Sequence, residues 1–333
     1  MRADLKLGQI RKRKGMFISI MILIIVGVIL YGLADRYLIE HVEVVVTDET
    51  AESNQAASTA ESNQAASTAE SSNTSASTTE AEYDDWNYTS DDIQIQIDQV
   101  QTGTGEDQIT YYVADVVLKN ADLLRTAFAN DSFGTNIIEN TSDIASGKNA
   151  IFAINGDYYG FRSDGVIIRN GTLYRDSPVR DAMVLFADGS MQTYNETEVS
   201  SSELLADREV HTLSFGPILI QDGEITGDFS HVKIDSNFGN RSIQAANPRT
   251  AIGMIEPNHY VFVVVDGRNK GYSRGMTLDE LAQLMDNLGA TEAYNLDGGG
   301  SSTMVFMGRV VNNPQGKNEE RGVSDILYVA EGE

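Results

Sequence analysis

Three polar turns follow apolar runs between residues 150 and 302, and they hold the residues best suited to chemistry. Asn155-Gly156-Asp157-Tyr158-Tyr159-Gly160 follows Ala150–Ile154. Asp266-Gly267-Arg268, with Ser273-Arg274-Gly275 close behind, follows His259–Val265. Thr291–Leu296 runs into the third, Asn295-Leu296-Asp297-Gly298-Gly299-Gly300-Ser301-Ser302. Three successive glycines let backbone N–H groups turn inward and a ligand approach closely, a concavity suited to an anion. Ser301 and Ser302 add hydroxyl donors and Asp297 a carboxylate. A plain hairpin needing positive φ would also use such glycines, but it has no need of the flanking Asp and Ser-Ser. Arg249, in NPRTAIG, and Arg268 offer the planar fork that grips a phosphodiester. An isolated Arg is usually a solvated surface charge; both of these border strand-end turns.

Other chemistries find little footing. The four histidines (His41, His211, His231, His259) show no zinc-ligand spacing, and no GxSxG elbow presents a serine nucleophile. No Lys follows the triple glycine, so it is not a Walker loop. The absence of cysteine excludes disulfides and thiolate chemistry. A carboxylate-rich pocket is able to take Ca²⁺ or Mg²⁺, although no ligand loop of known spacing is present, and no other cofactor is implied.

The elements that must position these turns read as strands and hairpins. Ile93, Ile95 and Ile97 alternate with Gln, and Tyr111–Leu118 is another strand candidate. Asn170-Gly171, Asp188-Gly189 and Asp222-Gly223 each sit between short apolar runs, the signature of tight hairpins. Asp122–Ala129 and Ser142–Gly147 read as short helices. Thr277–Leu288 reads as an amphipathic one, with Thr277 and Glu280 forming a capping box. Many hairpins with few helices imply an α+β domain with mixed β-sheets.

That domain occupies residues 83–333. Ahead of it, a basic segment (1–15) leads into Met16–Ala34, an uncharged apolar run of 19 residues. This nearly matches the roughly 30 Å hydrocarbon core and predicts a transmembrane signal-anchor; the alternative is a cleaved signal peptide. The cationic N-terminal side predicts a cytoplasmic N-terminus and an extracellular C-terminal domain at the cell membrane. Residues 35–82 predict a disordered low-complexity stalk, with ESNQAASTA repeated at Glu52–Ala60 and Glu61–Ala69. A net charge of −25 argues against nucleic acid as a partner. Oligomeric state is left open.

Taken together, AINGDYYG (Ala153–Gly160), RTAIG (Arg249–Gly253), VVVDGR (Val263–Arg268), SRGMTLDELAQLM (Ser273–Met285) and AYNLDGGGSSTM (Ala293–Met304) resemble the phosphodiester glycosidase family. The resemblance covers about Ala150 to Val329. It implies hydrolysis of a sugar joined through its anomeric oxygen to a phosphate diester, in cell-envelope or exopolysaccharide glycans. Carried over by motif, Asp297, Asp266 and Asn155 would surround the reaction centre. Arg249, Arg268 and Gly298, Gly299, Gly300, Ser301 and Ser302 would bind the phosphate and substrate, with Asp157 and Asn295 beside them. Which carboxylate is nucleophile or base stays open. The competing readings are a non-catalytic glycan-binding module and an envelope scaffold.

Overall fold

The computed structural model describes residues 20–35, 38–46, 81–206, 209–234 and 242–331. The chain divides into two units, Met1–His41 and Val42–Glu333. In the first, residues 20–35 are helical and their apolar side chains are exposed. The transmembrane helix expected over 16–34 is not recovered: among the described residues no helix is long and apolar enough to cross a membrane. Residues 1–19, which include the basic segment, and stalk residues 47–80 lie outside the described residues. Part of the expected stalk is ordered as the strand His41–Val45, and Val46 N–H donates to the Asp131 carbonyl at 2.8 Å.

The second unit is built mainly on three large sheets whose strands pair antiparallel, where mixed sheets were expected. Short hairpins connect about half of the neighbours and force those pairs to be antiparallel; the rest, such as Asp325–Val329 with Leu124–Phe128, join segments distant in sequence. The largest sheet has nine strands, with Glu292–Asn295, Arg249–Glu256, His259–Val265 and Ile109–Leu118 at its centre. A five-stranded sheet runs Arg309–Val310, Met304–Phe306, Phe152–Asn155, Asp325–Val329, Leu124–Phe128. The other, containing Gly165–Arg169 and Glu209–Leu213, carries the hairpin Asp181–Phe186/Met191–Asn195.

The layers explain the sequence patterns. One face of the nine-stranded sheet (Ile95, Val116, Phe262, Val264) packs on Phe152, Ile154, Phe306 and Leu327 of the second sheet. Its other face (Val261, Val263, Val265) is covered by the helix Leu278–Asn287 through Leu281, Ala282 and Met285. A strand buried on both sides has no polar face, hence the unbroken HYVFVVV run. The helix lies close because Gly253 is beneath it: a Cβ there would come within 2.6 Å of Met285 Cε. Thr277 and Glu280 form the expected capping box, and the short helix Thr141–Gly147 is present as well. Asp122–Ala129 is a correction. It comprises a 3-10 turn, Ala121–Leu123, and the strand Leu124–Phe128, because pairing with Asp325–Val329 overrides local helix propensity.

Candidate active site

The three polar turns meet where strands of the two facing sheets end. Asn155 is the buried pin between them. Its Nδ2 donates to the carbonyl of Asp297 at 2.6 Å, and its Oδ1 accepts from Thr250 Oγ1 at 2.7 Å and Thr303 N–H at 3.3 Å. Every amide atom of Asn155 is therefore committed to backbone or side chain, and it is not among the residues lining the cavity.

That cavity, of ≈ 200 Å³, opens beside the triple glycine. Asp297, Gly298, Gly299 and Gly300 form one wall; Asn247, Pro248, Arg249, Arg268 and Arg321 supply the polar remainder, and Tyr158, Phe215, Ile234 and Ile243 give an apolar side. Gly299 adopts φ 66°, and a Cβ on it would approach Arg268 Nη2 to 3.1 Å. Arg268 itself holds a left-handed φ of 60° and donates to Asn247 Oδ1 at 2.9 Å.

Charge in this pocket is mostly positive. Arg249 is 2% exposed, yet its hydrogen bonds go to carbonyls: Met276 at 2.9 Å, Ile243 at 2.6 Å and Ala245 at 2.8 Å. Burial, and then the charge of Arg268, push its guanidinium down to about 10. Among the described residues no carboxylate is ion-paired with it. Two neighbouring guanidiniums that disfavour each other's charge form a receptor for an anion. Asp297 is the one acid among the described lining residues. Burial raises its carboxyl above the usual range, against the pull of Arg321 and of Ser301, whose Oγ donates to Oδ2 at 2.6 Å.

The residues expected at the site thus divide. Asp297, Arg249, Arg268 and Gly298–Gly300 converge on the cavity, with Ser301 bonded to Asp297 from behind. Asn155, Asp157, Asp266, Asn295 and Ser302 do not line it. Asp266 accepts from Tyr272 OH at 2.8 Å, Asn312 Nδ2 at 2.9 Å and Asn313 N–H at 3.0 Å. Burial raises its carboxyl too, and through Asn312, which donates to the Ser302 carbonyl at 3.0 Å, it braces the end of the glycine loop. Asp157 accepts from Tyr159 N–H, Ser214 N–H and Arg169. Asn295 Nδ2 donates to the Gly216 carbonyl at 2.8 Å. Arg321 and Phe215 were not anticipated. Arg321 lies in the charged stretch NEERG, which reads as solvated surface, and Phe215 reads as core. Among the described residues no cluster of three or more His, Asp or Glu is placed to hold a metal ion.

A family model described as phosphodiester glycosidase matches residues 148–330, more than half of the chain and the whole of this site. The chain belongs to the phosphodiester glycosidase family. One family relative, the uncharacterized SPbeta prophage-derived protein YomE of Bacillus subtilis, is 30% identical over 245 residues, covering 67% of this chain and 36% of that protein. The bovine N-acetylglucosamine-1-phosphodiester alpha-N-acetylglucosaminidase is 33% identical over 98 residues (28% of this chain, 18% of that enzyme). Its human counterpart is 28% identical over 156 residues (43% and 30%). The chain thus spans only 18 to 36% of the length of these curated relatives. Among solved structures, the zebrafish N-acetylglucosamine-1-phosphodiester alpha-N-acetylglucosaminidase catalytic domain, auto-inhibited by its pro-peptide, shares the fold. Its TM-score is 0.57 at 20% identity, covering 73% of this chain and 85% of that one. A hypothetical protein from Synechocystis gives a TM-score of 0.54 at 17% identity, with coverage of 72% and 62%.

Proposed function

We propose that this phosphodiester glycosidase domain hydrolyses a sugar-1-phosphate diester of the N-acetylglucosamine-1-phosphodiester type, releasing the sugar and a phosphomonoester. The observation that carries this reading is the convergence of Arg249 and Arg268 on the Gly298–Gly300 bend, across one cavity from Asp297. In the reaction the anomeric C–O bond breaks, the phosphoryl oxygen keeps the electron pair, and water adds to the anomeric carbon. Ordinary glycosidases place two carboxylic acids around the bond, one of them to protonate the leaving group. A departing phosphomonoester, with a second pKa near 6, needs no such proton. A single described carboxylate and a set of arginines suit that chemistry, because the catalytic requirement is to stabilise charge that develops on phosphate. The apolar side formed by Tyr158, Phe215 and Ile243 is placed to take the sugar.

The test is a kinetic comparison of the full-length protein with Arg249→Met and Asp297→Asn on a synthetic N-acetylglucosamine-1-phosphate alkyl diester. Each substitution is expected to lower kcat/KM by about 100-fold or more, with folding verified by circular dichroism. Turnover that persists in both would refute the site, whereas saturable binding without turnover in the parent would favour a glycan-binding module. For location, the uncharged run 16–34 behind a cationic N-terminus supports a membrane tether with the domain outside, acting on envelope or exopolysaccharide glycans. Protease added to intact cells should then remove the domain.

A further inference from the structure

The three guanidiniums that line the cavity are held in different ways. Arg249 is fixed by three carbonyls, and Arg268 is tied to Asn247. Arg321 alone among them is ion-paired with Asp297, Nη2 to Oδ2 at 3.1 Å, and it also donates to Ser301 Oγ. Its side chain is 42% exposed while that of Asp297 is 10% exposed. The Arg321 side chain lies along Gly300, where a Cβ would meet its Cδ at 3.1 Å. The residues on either side are tied to the body of the domain. On one side the Glu320 side-chain carboxylate accepts from Ser142 N–H at 3.0 Å, and on the other Val323 N–H donates to the Glu139 carbonyl at 2.8 Å. The side chain can therefore change rotamer without the loop moving.

We propose that Arg321 is a latch shared between Asp297 and the phosphoryl group: it rests on Asp297 in the empty site and transfers to phosphate when ligand enters. The inference rests on the phosphodiester reading and concerns how that site fills. Three physical points support it. Arg321 is the exposed member of the pair, so water can replace part of its contact as it leaves Asp297, and a guanidinium can bind phosphate bidentately. Ser301 keeps its own bond to Oδ2, so Asp297 is not orphaned when Arg321 leaves. An ionised Asp297 would otherwise repel the entering phosphate, and the latch neutralises it until the anion arrives. Transfer then strips Asp297 of its counter-ion only in the occupied site, making it a stronger base at the moment a water molecule needs one.

The experiment is a double-mutant cycle on the full-length protein, read by calorimetric titration with inorganic phosphate. Arg321→Met should weaken phosphate binding by about tenfold, the loss of one charge-assisted contact. Asp297→Asn should tighten it several-fold in the parent, because Arg321 is released, and that gain should vanish in the Arg321→Met background. An equal gain in both backgrounds would mean simple repulsion between Asp297 and phosphate and would overturn the latch. So would parent-like phosphate binding by Arg321→Met. Should Arg321→Met fail to fold, the same cycle with Arg321→Lys decides, since losing the fork must at least halve the coupling. Failure of the underlying reading looks different: phosphate would not bind the parent, or Arg249→Met would bind it as the parent does.

Discussion

Asp297 shows how the candidate site trades stability for chemistry. Its carboxyl is raised chiefly by burial, so the ionised form is the one the fold disfavours. The sign follows: its contribution is fully favourable below the unfolded carboxylate range, and it is lost as pH rises through the elevated folded value. Asp297→Asn should therefore raise the thermal midpoint by a few degrees near pH 7.5, and the difference should close as pH falls below the ordinary carboxylate range. An Asn variant less stable than the parent at pH 7.5 would contradict this. The polar strand-end turns were legible from sequence, but their individual duties were not. Asp266, Asn155 and Asp297 have the same sequence signature, a polar residue just after an apolar run. Only packing separates Asp297, which faces the cavity, from Asn155 and Asp266, whose bonding capacity is consumed by Thr250, Thr303, Asn312 and Tyr272. Arg321 carried no signal, because a charged loop looks like solvent-facing surface until its tertiary neighbour is known.

Among the elements, the helix Leu278–Asn287 matters most, because it covers the strands that deliver Asp266 and Asn295. The residue just before its cap, Met276, presents the carbonyl that accepts from Arg249 Nε. Thr277→Ala should cost about 1 kcal/mol of stability and, by loosening that carbonyl, raise KM for the diester. An unchanged KM would uncouple the cap from the site. Glu280 completes the box and pairs with Arg274, whose hydrogen bonds lead in lowering its carboxyl from 4.5 to about 2. A depressed carboxyl stabilises above its unfolded value, so the deficit of Glu280→Gln measured by denaturant unfolding should shrink between pH 4.5 and 2. The capping box was readable because its residue types and spacing are local. The strand Leu124–Phe128 was not, because its partner lies near the far end of the sequence.

At the scale of the molecule, the two five-stranded sheets are joined by a buried ionic triad. Arg169 Nη2 reaches Asp325 Oδ2 at 2.6 Å and Asp157 Oδ2 at 3.2 Å, with all three side chains out of solvent. Burial raises the Asp325 carboxyl to about 7, offset by Arg169 and reinforced by the like charge of Asp157. Arg169→Met would leave two carboxylates facing each other without a cation, at a cost of about 3–5 kcal/mol. Because protonation relieves that repulsion, the loss in thermal midpoint should be larger at pH 8 than at pH 5.5; equal losses would show that the triad acts by packing alone.

The position of Asp325–Val329 inside its sheet sets an order of events for a growing chain. Ala127 leaves the ribosome long before Ile326, its partner across the sheet, and so does Asn155, which borders the same strand from the other side. At 5–20 residues per second the wait for Ala127 is about 10–40 s. Throughout that interval the strands ending at Phe128 and Asn155 have unfilled edges, open to pairing with other chains. The cavity walls cannot assemble around Asn155 until Asp325–Val329 has been made, so chains cut short before that strand should be both inactive and aggregation-prone.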